Sequence, residues 1–296
     1  MAINEDPLPV PLPLAMPGGP AELGESPVWD EREQRLLFVD IRAGAIRLFE
    51  PSTGAEESEQ LDSTVGCVVL DESGAIVAAA GTRIVRISAG EAEVLAVTGD
   101  GPEIRFNDGA CDARGRLWAG TMADDEGPGR GSLYRLDERG LEKVLSPVSI
   151  SNGIDWSLDG RTMYYADSTD LRVYAFDFDV ETGQLGGQRT FIELDESEGF
   201  PDGLTVDAQG CLWLAIWDGW RVRRYGPDGG VRGELKLPVA RPTSCAFGGS
   251  DLAALLITTA YTRLDEVERA AQPDAGAVFA VRPGVRGRPA NRFRNT

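Results

Sequence analysis

The sequence predicts an all-β fold, a six-bladed β-propeller with four-stranded antiparallel blades. Three observations predict it. Short runs rich in Val, Ile, Ala and aromatic residues fill the chain, and Gly, Asp and Pro turns separate them, the pattern of strands. No long segment carries the i, i+3, i+4, i+7 apolar stripe of an amphipathic helix, so little helix is expected. One phrase also recurs: a turn, an apolar strand, a D-x-x-G type turn and a second apolar strand. Its hairpin turns begin at Asp30, Asp71, Asp112, Ser157 and Asp207, with a degenerate copy at Gly248. Five residues before each stand Glu25, Gly66, Asn107, Asn152, Asp202 and Thr243, at gaps of 41, 41, 45, 50 and 41 residues. Repeats of about 40–50 residues, each with signal for about four strands, are the mark of a propeller.

Taken in order, residues 1–20 hold six prolines (7, 9, 11, 13, 17 and 20) and read as an extended lead-in. The propeller is expected over 21–283. Its strand runs include LLFVDI, AIVAAA and RIVRI, then RLWAGT, TMYYAD and RVYAFDF, and finally CLWLAIW, ALLITTA and AVFAV. Residues 284–296 read as a basic tail. Trp118, Trp156 and Trp213 recur at blade-repeat positions and are expected in the core between blades. The stretch DFDVETG (177–183) suggests a calcium loop, but Thr182 and Gln188 stand where an EF-hand needs Gly and Glu. It reads as a hairpin turn. GPGRGS (127–132) has no helix after it and reads as a loop.

Composition narrows the function. The 296 residues are 42% hydrophobic and 26% charged, which suits a packed domain and not a disordered chain. The net charge of −19 argues against nucleic acid or an anionic membrane as a general partner. No apolar run approaches the ~18 residues of a membrane span. The chain has no histidine. Ser-His-Asp and Cys-His catalysis, His-ligated metals and an imidazole base are therefore excluded. Its lysines, Lys143 and Lys236, belong to no phosphate loop. Cys67, Cys111, Cys211 and Cys245 lie far apart without C-x-x-C spacing and read as buried thiols. The first basic residue is Arg32, and prolines interrupt the apolar N-terminal residues, so a cytoplasmic protein is expected.

In a propeller the first strand of each blade lines the central channel, so the six step-back positions should ring its mouth. Loops after each second strand open on the same face, among them ADDEGPGR (123–130). Glu25, Asn107, Asn152 and Asp202 bring two carboxylates and two amides to that ring. Each Asn or Asp before Gly also reads, alone, as an ordinary turn residue. Glu25 does not, because Glu is a poor turn former. Converging carboxylates and amides need a partner, and a divalent cation favouring oxygen ligands would supply it. Glu25 and Asp202 would offset its charge.

Several stretches carry a resemblance: GESPVWD with LLFVDI, RFNDGACDARGRLWAGTM, SNGIDWSLDGRTMYYADS, PDGLTVDAQGCLWLA and PTSCAFGG. In that order, from Gly24 to Val281, they resemble the regucalcin–gluconolactonase family, also called the senescence marker protein family. The resemblance implies a six-bladed propeller with one divalent cation (Ca, Zn, Mn, Mg or Fe(II)) in its channel. It implies Glu25, Asn152 and Asp202 as metal ligands, Asp202 also as the catalytic acid/base, and Arg105 and Asn107 as substrate contacts. A substrate-contacting Glu of the family falls at Asp125 when GTMA is aligned, with Asp124 or Glu126 able to substitute.

The activity so implied is opening of the lactone ring of a sugar acid, such as gluconolactone or xylonolactone, by metal-activated water. Arg105 and Asn107 suit an oxyanion or sugar hydroxyls, and the DDEGPGR loop could close over the polyol tail. A small sugar lactone is thus the expected partner, with no obligate protein partner evident. Two competing readings stay open. One is a non-catalytic calcium-binding or regulatory propeller. The other is a related propeller esterase or organophosphate hydrolase.

Overall fold

Strands that pack on both faces need apolar residues at successive positions, and the chain's second strands have them. In Arg35–Asp40, the side chains of Leu36, Leu37, Phe38 and Val39 are all fully buried. Successive side chains point to opposite faces of a strand. Leu37 and Val39 therefore meet the following blade, while Leu36 and Phe38 meet the preceding one. The same division recurs around the molecule, and six apolar clusters fill the six interfaces between neighbouring blades. Each fully buried Val, Leu, Ile or Phe contributes about 1.5–3 kcal/mol, so the ring is held by these interfaces.

The computed structural model describes residues 8–88 and 90–294. Residues 1–7 of the expected lead-in and 295–296 of the expected tail lie outside the described residues. Six four-stranded antiparallel sheets form the blades of the propeller. Their innermost strands are Gly24–Asp30, Val65–Leu70, Ile104–Cys111, Ser151–Trp156, Phe200–Val206 and Pro242–Gly248. Among the described residues the one α-helix is Glu266–Ala271, and no helix is long and apolar enough to cross a membrane. The sixth blade takes its outermost strand from the other end of the chain. Leu12 and Pro13 pair with Ala280 and Phe279, so part of the Pro-rich segment closes the ring. Pro13 suits this place because an outer strand can spare a backbone donor.

The recurrent Asp has a local cause. Asp112 accepts the backbone N–H groups of Arg114 and Arg116 and the indole N–H of Trp118. Asp207 does the same for Gln209, Cys211 and Trp213. One carboxylate thus caps the hairpin and fixes the tryptophan that fills the blade interface. Trp118 packs edge-on against Trp156 and Phe178. The 177–183 stretch forms the expected hairpin turn, closed by the Gly183 N–H on the Asp179 carbonyl at 2.7 Å.

Residues 286–294 cross the far end of the channel and touch every blade. The Gly287 N–H reaches Leu252, and Arg286 accepts from Ala208. Arg288 pairs with Asp155, and Asn291 donates to the Cys111 carbonyl. Arg292 pairs with Asp30, and the Phe293 N–H reaches Leu70. This run closes a lower cavity of about 120 Å³ in the channel.

Candidate functional site

In every blade the innermost strand breaks register at the residue the repeat singles out. The breaks lie between Glu25 and Val28, Val65 and Cys67, Phe106 and Asp108, Ser151 and Ile154, Pro201 and Leu204, and Pro242 and Ser244. A β-bulge bends a strand and re-aims a side chain, which is how a strand can present Asn107, Asn152 or Asp202 to the channel. The NDG, SNG and PDG triplets are therefore strand bulges and not turns. Their glycines serve close approach between neighbouring inner strands. A Cβ on Gly153 would stand 2.6 Å from the Leu204 nitrogen and 2.7 Å from the Asp202 carbonyl oxygen.

Glu25, Asn107, Asn152, Asp202 and Arg105 line one cavity of about 420 Å³ at the channel mouth. Loops after the second strands add Arg42, Glu126, Ser168 and Arg263 to its wall, and Trp217 joins them from the end of the fifth blade's second strand. Gly66 and Thr243, the other two ring positions, do not line it. Thr243 instead bonds the Gly24 carbonyl and joins the first and last blades.

Glu25 and Asp202 are both buried and line the same cavity. Burial pushes the Glu25 carboxyl well above the usual carboxylate range, and the charges of Asp202 and Asp108 add to it. Asp202 is raised in the same way, by burial first and then by Asp108. Glu25 accepts the Ser26 N–H at 2.9 Å. Ser26 itself sits at φ 47°, in the left-handed region that non-glycine residues seldom occupy. Its hydroxyl accepts the Val68 N–H at 3.1 Å and ties the first blade to the second.

Asn152 is held from two sides. Its Nδ2 donates to the Ser168 hydroxyl at 2.8 Å, and that hydroxyl donates to the Pro201 carbonyl at 2.7 Å. Its Oδ1 accepts from Asn107 Nδ2 at 3.3 Å. Asn107 Oδ1 in turn accepts from Arg105 Nη1 at 2.7 Å. Arg105 is buried, and its Nε lies 3.4 Å from Asp124 Oδ1.

The donor set fits a divalent cation. Two buried carboxylates share one cavity with no Arg or Lys paired to either among the described residues, and the Asn152 amide lines the same cavity. Among the described residues no three His, Cys, Asp or Glu side chains gather closely enough to hold an ion. The Asn152 amide oxygen would complete the set, as hard cations allow.

Asp125 is the one expected contact that the structure places elsewhere. It is exposed, and its carboxylate accepts from Arg130 and from the Gly127 N–H at 2.9 Å. The turn that makes this bond carries Glu126 at φ 59° and points Glu126 to the cavity instead. There Glu126 pairs with Arg263 of the sixth blade. Asp124 pairs with Arg105. Sequence reasoning missed Ser26, Ser168 and Asp108. Asp108 adjoins a ring position and lines the lower cavity, where burial pushes its carboxyl up to about 7.

Known proteins share this arrangement of chain. The family described as SMP-30/Gluconolactonase/LRE-like region matches residues 23–261. Regucalcin of Danio rerio is 42% identical over 275 residues, covering 90% of this chain and 93% of that protein. The crystal structure of a calcium-binding protein, regucalcin, from Agrobacterium tumefaciens superposes with a TM-score of 0.92 at 28% identity, covering 97% and 98% of the two chains. A luciferin-regenerating enzyme superposes with a TM-score of 0.89 at 31% identity, covering 96% and 99%. With the family's model matching residues 23–261 and a relative 42% identical over 90% of the chain, the chain belongs to the SMP-30/gluconolactonase/LRE-like family.

Proposed function

We propose that this protein is a lactonase: it hydrolyses the cyclic ester of a sugar acid, in a reaction that depends on a divalent cation held by Glu25, Asn152 and Asp202. The observation that carries the reading is the convergence of the buried Glu25 and Asp202 carboxyls on one cavity of about 420 Å³, walled also by Arg105 and Asn107. The gluconolactonase in the family's description supports the same class of substrate. When bound, a divalent cation supplies Lewis acidity toward a carbonyl oxygen and acidifies water.

The chain's own residues do the rest. Asp202 takes a proton from the attacking water and returns it to the ring oxygen as the ester C–O bond breaks, leaving the open hydroxy acid. Without histidine, the buried Asp202 carboxylate is the base at hand. Arg105 holds the lactone oxygens through N–H groups not committed to Asn107 or Phe106. Asn107 and Ser168 keep Asn152 oriented.

The test is proton release from gluconolactone and xylonolactone, with cation-depleted protein and with Ca²⁺, Mn²⁺, Zn²⁺, Mg²⁺ or Fe²⁺ restored. Turnover that needs one of these ions supports the reading. Full turnover in cation-depleted protein, or none with any ion, overturns it. The second reading, a calcium-binding propeller without catalysis, draws on the regucalcin relatives, one of them described as a calcium-binding protein. Ca²⁺ binding without turnover of any lactone favours it.

A further inference from the structure

The wall of the upper cavity carries four arginines, Arg42, Arg105, Arg241 and Arg263, and four carboxylates, Glu25, Glu126, Asp202 and Asp218. Most of these charges are already matched. Arg263 pairs with Glu126 at 3.0 Å. Arg241 donates to Asp218 at 2.6 Å and lies over the Trp217 ring. Glu25 and Asp202 face the cation position. Arg42 remains without a partner, and Arg105 has only Asp124, outside this wall, for an ion pair.

Arg105 is 96% buried, and its Nε makes no hydrogen bond, its closest carboxylate being that of the half-exposed Asp124 at 3.4 Å. Arg42 follows the second strand of the first blade, is exposed, and forms neither a hydrogen bond nor an ion pair with any described residue. The two guanidinium groups sense each other. Burial lowers the Arg105 pKa to about 10, and Arg42 is the next contributor. Two cations facing one cavity repel unless an anion lies between them. On a chain of net charge −19, a wall whose four arginines equal its four carboxylates is a local break in the acidic field, and the side that holds Arg42 and Arg105 suits an anionic ligand.

We infer that the substrate carries a carboxylate in addition to its lactone ring, the lactone of a sugar dicarboxylic acid, and that Arg42 with Arg105 binds that carboxylate. The inference rests on the lactonase reading for the ring, and on the unpaired Arg42 beside an Arg105 whose Nε makes no hydrogen bond for the carboxylate. Arg42 is then the residue that selects for charge, since Arg105 is shared with the reacting end. A guanidinium fork suits a carboxylate through two parallel N–H bonds.

Two measurements separate the parts. Calorimetric binding compares glucarate with gluconate on the whole protein, for the native chain, Arg42→Ala and Arg42→Lys. Glucarate is expected to bind more tightly by about tenfold, the size of one charge-assisted hydrogen bond. The advantage should vanish in Arg42→Ala and survive largely in Arg42→Lys. Equal binding of the two acids, or an advantage untouched by Arg42→Ala, overturns the inference. The ratio of kcat/KM for glucarolactone over gluconolactone should exceed one and fall about tenfold in Arg42→Ala. If no lactone turns over while the binding preference holds, the lactonase reading fails and the carboxylate site stands. Tighter binding of gluconate phosphate than of glucarate overturns the carboxylate assignment.

Discussion

Asn107 Nδ2 lies 3.3 Å from Asn152 Oδ1, joining residues 45 positions apart in the chain. The same Asn107 also donates to the Ser151 carbonyl at 2.8 Å and accepts from Arg105 at 2.7 Å. It therefore couples the wall that would hold substrate to the amide that would face the cation. Asn107→Asp keeps the acceptor for Arg105 but removes the donor to Asn152, and it adds a negative charge near Glu25 and Asp202. Lactone kcat/KM should fall by about a hundredfold, as for loss of one aligned donor. A loss under threefold in steady-state assays would show that the coupling is idle.

Burial holds both the Glu25 and the Asp202 carboxyls high, and the charge of Asp202 repels that of Glu25. A bound cation relieves that repulsion, so the folded state should gain stability with the ion. At a hundredfold excess over Kd the gain is about 2.7 kcal/mol, or a rise in Tm of about 5 °C. Asp202→Asn removes one of the like charges. Its cation-free Tm should equal or exceed that of the native chain, its Tm should no longer respond to the ion, and its lactone turnover should be lost. Thermal melts with and without Ca²⁺ or Mn²⁺ decide the first two. A cation response that survives in Asp202→Asn removes Asp202 from the ligand set.

The propeller was legible because its repeat is local. A hairpin turn, the Asp that caps it and the bulged residue five positions earlier are all set within a dozen residues. Glu25, Asn107, Asn152 and Asp202 could therefore be placed on one ring before any contact was known. What stayed hidden depends on meetings between distant parts. Ser26 adopts a left-handed conformation that no residue type announces. Ser168 matters only because Pro201 lies across from it. Among Asp124, Asp125 and Glu126, composition offers no choice. The Asp125 bond to the Gly127 N–H turns the third acid inward. The tail, unremarkable as sequence, proves to span all six blades.

Asp108 supplies a prediction in pH. Its carboxyl is raised by burial from an ordinary 3.8 to about 7. The folded state thus binds this proton more tightly than the unfolded state does. The associated stability is full below about pH 3.8 and is lost as pH rises through about 7. Asp108→Asn keeps an acceptor for the Gly109 N–H and removes the titration. In the presence of a chelator, the native chain's stability relative to Asp108→Asn should fall between pH 4 and 8 by a few kcal/mol, at about 1.4 per pKa unit. Urea titrations at several pH values measure the difference. Parallel curves for the two proteins would mean that Asp108 does not titrate in this window.

The tail makes a stability argument that the blades alone would not suggest. Phe293 is buried in the cluster between the second and third blades, and its N–H bonds the Leu70 carbonyl. Arg292 beside it reaches Asp30 of the first blade at 2.8 Å. A propeller ring can open at any of its blade interfaces, so a segment tied to all of them resists opening wherever it starts. Phe293→Ala deletes a fully buried ring and should cost about 3 kcal/mol. Arg292→Ala should cost less, since its ion pair is partly exposed. Chemical denaturation of both variants tests the order. If Phe293→Ala loses under 1 kcal/mol, or less than Arg292→Ala, the segment merely rests on the ring and does not hold it closed.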